Sequence, residues 1–246
     1  MAFEGAGQVK VFSANTGFLW PALPFPERIL QAARQGFGAI EFHDEALSND
    51  LGLIEDRLAQ AGLPLLGLNT RMAQTMGRAA IPGQVAAAQA DFEVALAVAE
   101  RLNARAIHVL SGRTDAPDRL DVLARALKRF SDQTDKLLLV EPLAPVAVAG
   151  YALGTIHDAA QVVSQVGADN VKIMFDSFHI DATETDLSAT YLRYKDKIGH
   201  VQIAACGHRG SPDQDARIRE FVRGIDCTYI GCEWRDDMSD AVCPNW

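Results

Sequence analysis

Four polar residues close apolar runs in the second half of the chain: Glu141 in LLLVEP, Asp176 in KIMFDSFH, Gln202 in HVQIA and Glu233 in YIGCEW. The intervals from 141 to 176, 176 to 202 and 202 to 233 are 35, 26 and 31 residues, about one strand–helix unit each. A carboxylate at the end of a Leu/Val/Ile/Phe run is poorly solvated and is costly to keep ionised without a partner. Three carboxylates and one amide from consecutive units can share a hard cation as that partner. All-oxygen donors favour Mg2+ or Mn2+ over Zn2+ or Cu2+. A metal-dependent enzyme is the chemistry this set points to. The simpler alternatives are strand-end carboxylates paired with Lys or Arg, Asp176 as a helix N-cap, and Gln202 bonded to a backbone group.

Holding four such residues around one point needs strands that converge. Strand-like runs cover 9–14, 38–42, 64–69, 105–110, 136–141, 171–176, 199–204 and 228–233. Several are nearly continuous hydrophobics, as expected of strands buried on both faces of a parallel sheet. Helical spacing links them at 26–35, 84–102, 117–133 and 155–166, the last with Thr155 as a candidate cap. Eight strands alternating with helices predict one (β/α)8 TIM barrel over residues 1–246, its last helix abbreviated because little sequence follows Glu233. An open doubly wound sheet is the rival. No GxGxxG or GxxxxGK[ST] follows the first strand, so nucleotide binding has no support.

The chain has 246 residues, 48% of them hydrophobic, and a net charge of −9. There is no basic stripe, which argues against nucleic acid and anionic membranes as partners. Cys206, Cys227, Cys232 and Cys243 form no CxxC pair and read as reduced packing residues. With no leader-like N-terminus and no membrane-length apolar run, a cytoplasmic protein is expected.

The motifs FSAN near the start, PFPERILQAARQGFGAIEF, LNT at 68–70, IPG at 81–83, AIHVLSG, LLLVEPL, FDSFH, HVQIA and GCEW run in order over nearly the whole chain. As an ordered set they resemble the hydroxypyruvate isomerase branch of the xylose isomerase-like TIM barrels. The resemblance implies that Glu141, Asp176, Gln202 and Glu233 bind one divalent metal, Mg2+ or Mn2+, and that Glu141 and Glu233 are also the acid/base pair. It further implies that His179 and Arg209 contact substrate, with Arg209 gripping a carboxylate. His43, after GAIEF, is a candidate to face the pocket. His108 in AIHVLSG is another, with a satisfied core role as its alternative. Homodimers or homotetramers are common in such barrels.

The implied reaction moves a proton between adjacent carbons through an enediolate, with one carboxylate removing the proton and a second group returning it. The pocket loops depart from the family pattern. An HEPG-like stretch is replaced after Arg209 by Gly210, Ser211, Pro212, Asp213, Gln214 and Asp215, and a GEWG-like stretch by TMGR at 75–78. These differences leave the substrate open between hydroxypyruvate and four-carbon 2-oxo acids. A ketose 3-epimerase or an oxo-sugar-acid decarboxylase on the same metal is the enzymatic alternative, and a sugar-acid-binding barrel without turnover is the other.

Overall fold

The computed structural model describes residues 9–235 and 240–246. Eight parallel strands close a barrel in chain order: β1 Val11–Asn15, β2 Ala39–Glu41, β3 Leu65–Asn69, β4 Ala106–His108, β5 Leu137–Val140, β6 Val171–Asp176, β7 Ile198–Ile203 and β8 Tyr229–Cys232. Closure is made by β1 on β8, with Ser13 opposite Gly231 and Ala14 opposite Cys232. Every strand lies inside its predicted run or within one residue of it. The run at 105–110 is a strand only to His108; beyond it the Leu110 N–H donates to the Thr70 hydroxyl oxygen at 3.0 Å instead of to a neighbouring strand.

The helices wrap the outside: α1 Phe25–Arg34, α2 Leu51–Ala61, α3 Val85–Arg101, α4 Arg119–Ser131, α5 Ile156–Val166, α6 Ser177–Asp181, α7 Leu187–Tyr194 and α8 Ala216–Gly224. Local chemistry sets their ends. Asp50, Thr155, Asp186 and Asp215 accept first-turn N–H bonds of α2, α5, α7 and α8, each such cap being worth about 1 kcal/mol. α2 and α5 stop at Gly62 and Gly167, whose left-handed φ of 67° and 65° glycine adopts without strain. Their apolar stripes and the outer faces of the strands make the main core, with Phe92 stacked on Phe130 at 4.2 Å.

No described residue after β8 is helical. The tail covers the gap instead: Cys243 N–H donates to Gln35, the buried Trp20 indole donates to Ala241, and Trp246 packs edge-on against Phe12. Among the described residues no helix is long and apolar enough to cross a membrane.

The barrel interior differs from the outer core. Its inward positions include Ser13, Gly67, Ala106 and Gly231, and Ala106, Leu139 and Met174, with Leu137 against them, form a small apolar cluster separate from the main core. Small side chains leave a cavity of about 300 Å³ along the axis. Polar groups, not a packed apolar layer, therefore separate this cavity from the barrel mouth.

Candidate metal and acid–base site

Parallel strands with right-handed crossovers bring all strand C-termini to one end, where loops can close over a pocket. There Glu141 follows β5, Asp176 ends β6, Gln202 lies in β7 and Glu233 follows β8. All four are buried. Above them is a pocket of about 390 Å³, bordered among others by Phe18, His43, His179 and Arg209. Of the sequence-predicted residues, Glu141, Glu233, His43, His108, His179 and Arg209 border this pocket, Asp176 reaches it through Arg209, and Gln202 borders the axial cavity, as His108 also does.

Glu233 is the best-satisfied carboxylate. Its Oε1 accepts from Asn15 Nδ2 at 3.1 Å and pairs with His43 Nε2 at 3.0 Å, and its Oε2 accepts from Arg209 Nη2. Burial opposes its ionisation, but Arg209 and His43 outweigh burial and hold its pKa down to about 2. His43 is shifted upward: burial works against the charged ring, and the Glu233 bond more than offsets it. The ring fits because residue 17 is glycine; a Cβ there would lie 2.1 Å from His43 Nδ1.

Glu141 is the opposite case. It has no Lys or Arg within ion-pair distance among the described residues; the imidazoles of His108 and His179 approach it with Nε2 at 3.7 and 3.8 Å. Burial, then the neighbouring Glu233 and Asp176, push its pKa well above the ordinary carboxylate range. Asp176 sits between the two: burial raises it to about 7 against the pull of Arg209. One Asp176 oxygen accepts the Phe178 N–H at 2.9 Å and caps α6, so the capping alternative holds for one oxygen and leaves the other for the pocket.

His179 is buried on α6 and accepts the Ala144 N–H at Nδ1, 3.1 Å. Burial and then Arg209 lower its pKa to about 3, so the ring is neutral at pH 7. A neutral imidazole accepts at one nitrogen only. With Nδ1 taken, Nε2 carries the proton and is a donor toward the pocket. Arg209 Nη1, 3.0 Å from Nε2, then meets a donor and not an acceptor. His108 bonds Asn69 through Nδ1 at 3.2 Å, and burial lowers its pKa to about 4.

Arg209 reaches the mouth from the loop after β7 with a left-handed φ of 51°, a conformation costly for a non-glycine residue. Its guanidinium lies between the rings of Phe18 and Phe178, 4.7 and 4.9 Å from their centres, with Nη2 2.9 Å from Asp176 Oδ2. It thus faces two of the predicted metal ligands directly, which spacing alone did not reveal.

The donors fit a hard divalent cation. Glu141 Oε1 and Gln202 Oε1 are buried acceptors with no hydrogen-bond donor among the described residues, and Asp176 Oδ2 faces the Arg209 guanidinium at 2.9 Å. One ligand atom each from Glu141, Asp176 and His179 lies within 4.8 Å of the others. Burial and mutual repulsion of Glu141, Asp176 and Glu233 raise the first two pKa values, and a divalent cation among them would favour their ionised forms.

Sequence reasoning missed Asn15 as a donor to Glu233, although it ends the FSAN motif on a strand. Glu41, at the end of GAIEF, and His200, at the start of the HVQIA run, read from the sequence as structural residues. They belong to one buried network in which Glu41 accepts from Ser13 Oγ, His200 Nε2 and Gln202 Nε2. His157 is exposed, and Cys206, Cys227, Cys232 and Cys243 are unpaired.

Known proteins share this architecture over nearly their full length. The chain is 27% identical to hydroxypyruvate isomerase of Escherichia coli, covering 96% of this chain and 97% of that one. It is 28% identical to 2-oxo-tetronate isomerase of Cupriavidus necator, covering 96% of each. A solved structure described as an AP endonuclease, family 2, from Brucella melitensis superposes with a TM-score of 0.86 at 26% identity, covering 93% of this chain and 94% of that one. The expected enzyme class, an isomerase, is the one the first two relatives' names carry. The model of the xylose isomerase-like TIM barrel matches residues 29–240, and the chain belongs to that family.

Proposed function

We propose that this protein is a metal-dependent isomerase that interconverts the aldehyde and ketone forms of a small hydroxy-keto acid, such as hydroxypyruvate or a 2-oxo-tetronate, through an enediolate. Relatives with those two activities in their names support the substrate class. The observation that carries the mechanism is the contrast between two carboxylates on one pocket. Glu141 is pushed far up by burial, whereas Glu233 is held down to about 2. Pairs of carboxyl groups driven apart in this way are what a two-sided proton shuttle requires.

Glu141, Asp176, Gln202 and Glu233 would hold one divalent ion, Mg2+ or Mn2+ by donor type. When bound, it supplies positive charge to the adjacent substrate oxygens as negative charge develops on them. The chain's own residues do the rest. Glu141 and Glu233, at the ends of β5 and β8, approach the substrate from different directions; one takes the proton alpha to the carbonyl and the other returns a proton to the neighbouring carbon. His179 Nε2–H donates to a substrate oxygen, its tautomer fixed by Ala144. His43 and Asn15 hold Glu233 in place. Arg209, released from the carboxylates, pairs with the substrate carboxylate. Phe18 and Phe178 bracket the guanidinium and limit water around it.

The test is turnover of hydroxypyruvate, four-carbon 2-oxo acids and free ketoses, followed by NMR in deuterated water with and without a chelator. The proposal expects chelator-sensitive isomerisation of a keto acid with deuterium entering at the adjacent carbon. Exchange with inversion at one carbon of a ketose would identify an epimerase, loss of CO2 a decarboxylase, and no turnover a binding protein; each would refute the isomerase reading.

A further inference from the structure

We infer that Glu41 is a positioning residue that fixes the Gln202 side chain with its oxygen, and not its NH2 group, available to the cation. The inference rests on the metal reading given above.

Glu41 ends β2, points into the barrel and is 4% exposed. Its Oε2 accepts from Gln202 Nε2 at 2.9 Å, and its Oε1 takes Ser13 Oγ and, at 3.0 Å, His200 Nε2. Ser13 Oγ, His200 Nε2 and Gln202 Nε2 all converge on the two Glu41 oxygens, which act as acceptors and so take the NH2 end of the amide. The Gln202 oxygen is thereby excluded from Glu41, and it has no donor of its own among the described residues. A flipped amide would present N–H donors where a cation needs a lone pair.

Packing alone would not hold this orientation. Glu41, His200 and Gln202 all border the axial cavity of about 300 Å³, so the amide has open space on one side. On the other side lies β8, where Gly231 is the register partner of Gln202. A Cβ on Gly231 would sit 2.7 Å from Gln202 Cγ, 2.7 Å from Glu41 Oε1 and 2.9 Å from Glu41 Oε2. The pair is therefore seated against bare backbone, and the missing side chain makes its room. Groups of this kind behind a ligand typically change metal affinity 10- to 100-fold when altered.

The experiment is Mn2+ titration followed by electron paramagnetic resonance and calorimetry, with folding checked by circular dichroism. Four proteins are compared: the parent, Glu41→Gln, Gly231→Ala, and the double exchange Glu41→Gln with Gln202→Glu. The parent should bind one Mn2+. Glu41→Gln should bind about 10- to 100-fold more weakly, because a glutamine at 41 satisfies either end of the Gln202 amide. Gly231→Ala should weaken binding in the same direction by displacing both side chains. The double exchange restores a donor–acceptor pair with reversed polarity and should return affinity at least to the parent's level. Because a carboxylate at 202 is itself a stronger ligand, a fifth protein, Gln202→Glu alone, is the control: Glu41→Gln should weaken binding when residue 202 is glutamine but not when it is glutamate, whereas a residue that merely fills space would weaken both backgrounds alike. Mn2+ affinity of Glu41→Gln within twofold of the parent, or of a folded Gly231→Ala within twofold if the first variant fails to fold, overturns the inference. Absence of Mn2+ binding by the parent itself would instead overturn the metal reading, and this inference with it.

Discussion

Replacing Arg209 by methionine isolates the electrostatics of the barrel mouth. Arg209 is 7% exposed, donates to Glu233 and lies 2.9 Å from Asp176 Oδ2. Methionine keeps most of the stem between Phe18 and Phe178 but removes the charge. Taking one partner from a buried ion pair costs about 3–5 kcal/mol, because the remaining charge is left without compensation. For a chain of this size about 1 kcal/mol moves the melting temperature by roughly 2–4 °C. In a chelator at pH 7, Arg209→Met should therefore melt about 6–20 °C below the parent. Excess Mn2+ supplies positive charge to the same carboxylates. At an Mn2+ concentration a hundredfold the parent's Kd the parent gains about 2.7 kcal/mol; at that same concentration the variant should bind more tightly and gain more, because no guanidinium competes for Asp176 and Glu233. Differential scanning fluorimetry with and without Mn2+ reads both effects. A variant within 2 °C of the parent in chelator would refute the ionic cluster. Equal Mn2+ shifts in the two proteins would refute the competition.

Three further outcomes follow from the same geometry. Glu141→Gln and Glu233→Gln should each lower kcat by at least about 100-fold while circular dichroism stays native, the usual scale for a lost acid or base; a variant keeping most of its turnover contradicts the paired-carboxylate roles. Arg209→Ala should raise KM for keto acids more than it lowers kcat, and an unchanged KM would remove Arg209 as the carboxylate clamp. Gly17→Ala should lower kcat/KM by displacing His43 from Glu233, since the added Cβ would lie 2.1 Å from the ring; unaltered kinetics would mean that His43 does not support Glu233.

The sequence revealed what depends on local pattern. Continuous apolar runs fixed the strands, and the polar residues at their ends already marked the mouth, because a barrel places strand ends together by topology alone. α2 and α8 were not singled out, although Asp50 and Asp215 stand at their N-termini as ready caps. The short polar stretch ARIREFVRG in α8 shows its apolar side only through Ile218, Phe221 and Val222. What stayed hidden is contact across the barrel. Glu41 and Gln202 are 161 positions apart, and nothing in GAIEF or HVQIA alone says that they meet. The same holds for Asn15 with Glu233, and for Gly231, whose value lies in the atoms it lets approach. Arg209 was marked as a pocket residue by the family resemblance. Its seat between two phenylalanines and against Asp176 was not, because loop geometry and a left-handed backbone set it.

The central claim is a single divalent cation held by Glu141, Asp176, Gln202 and Glu233. Anomalous diffraction from crystals grown with Mn2+ tests it most directly. The account predicts one strong peak bounded by oxygens of those four side chains, with the Arg209 guanidinium moved away from Asp176. A map with no peak there, and Arg209 still paired with Asp176 and Glu233 at saturating Mn2+, would contradict it.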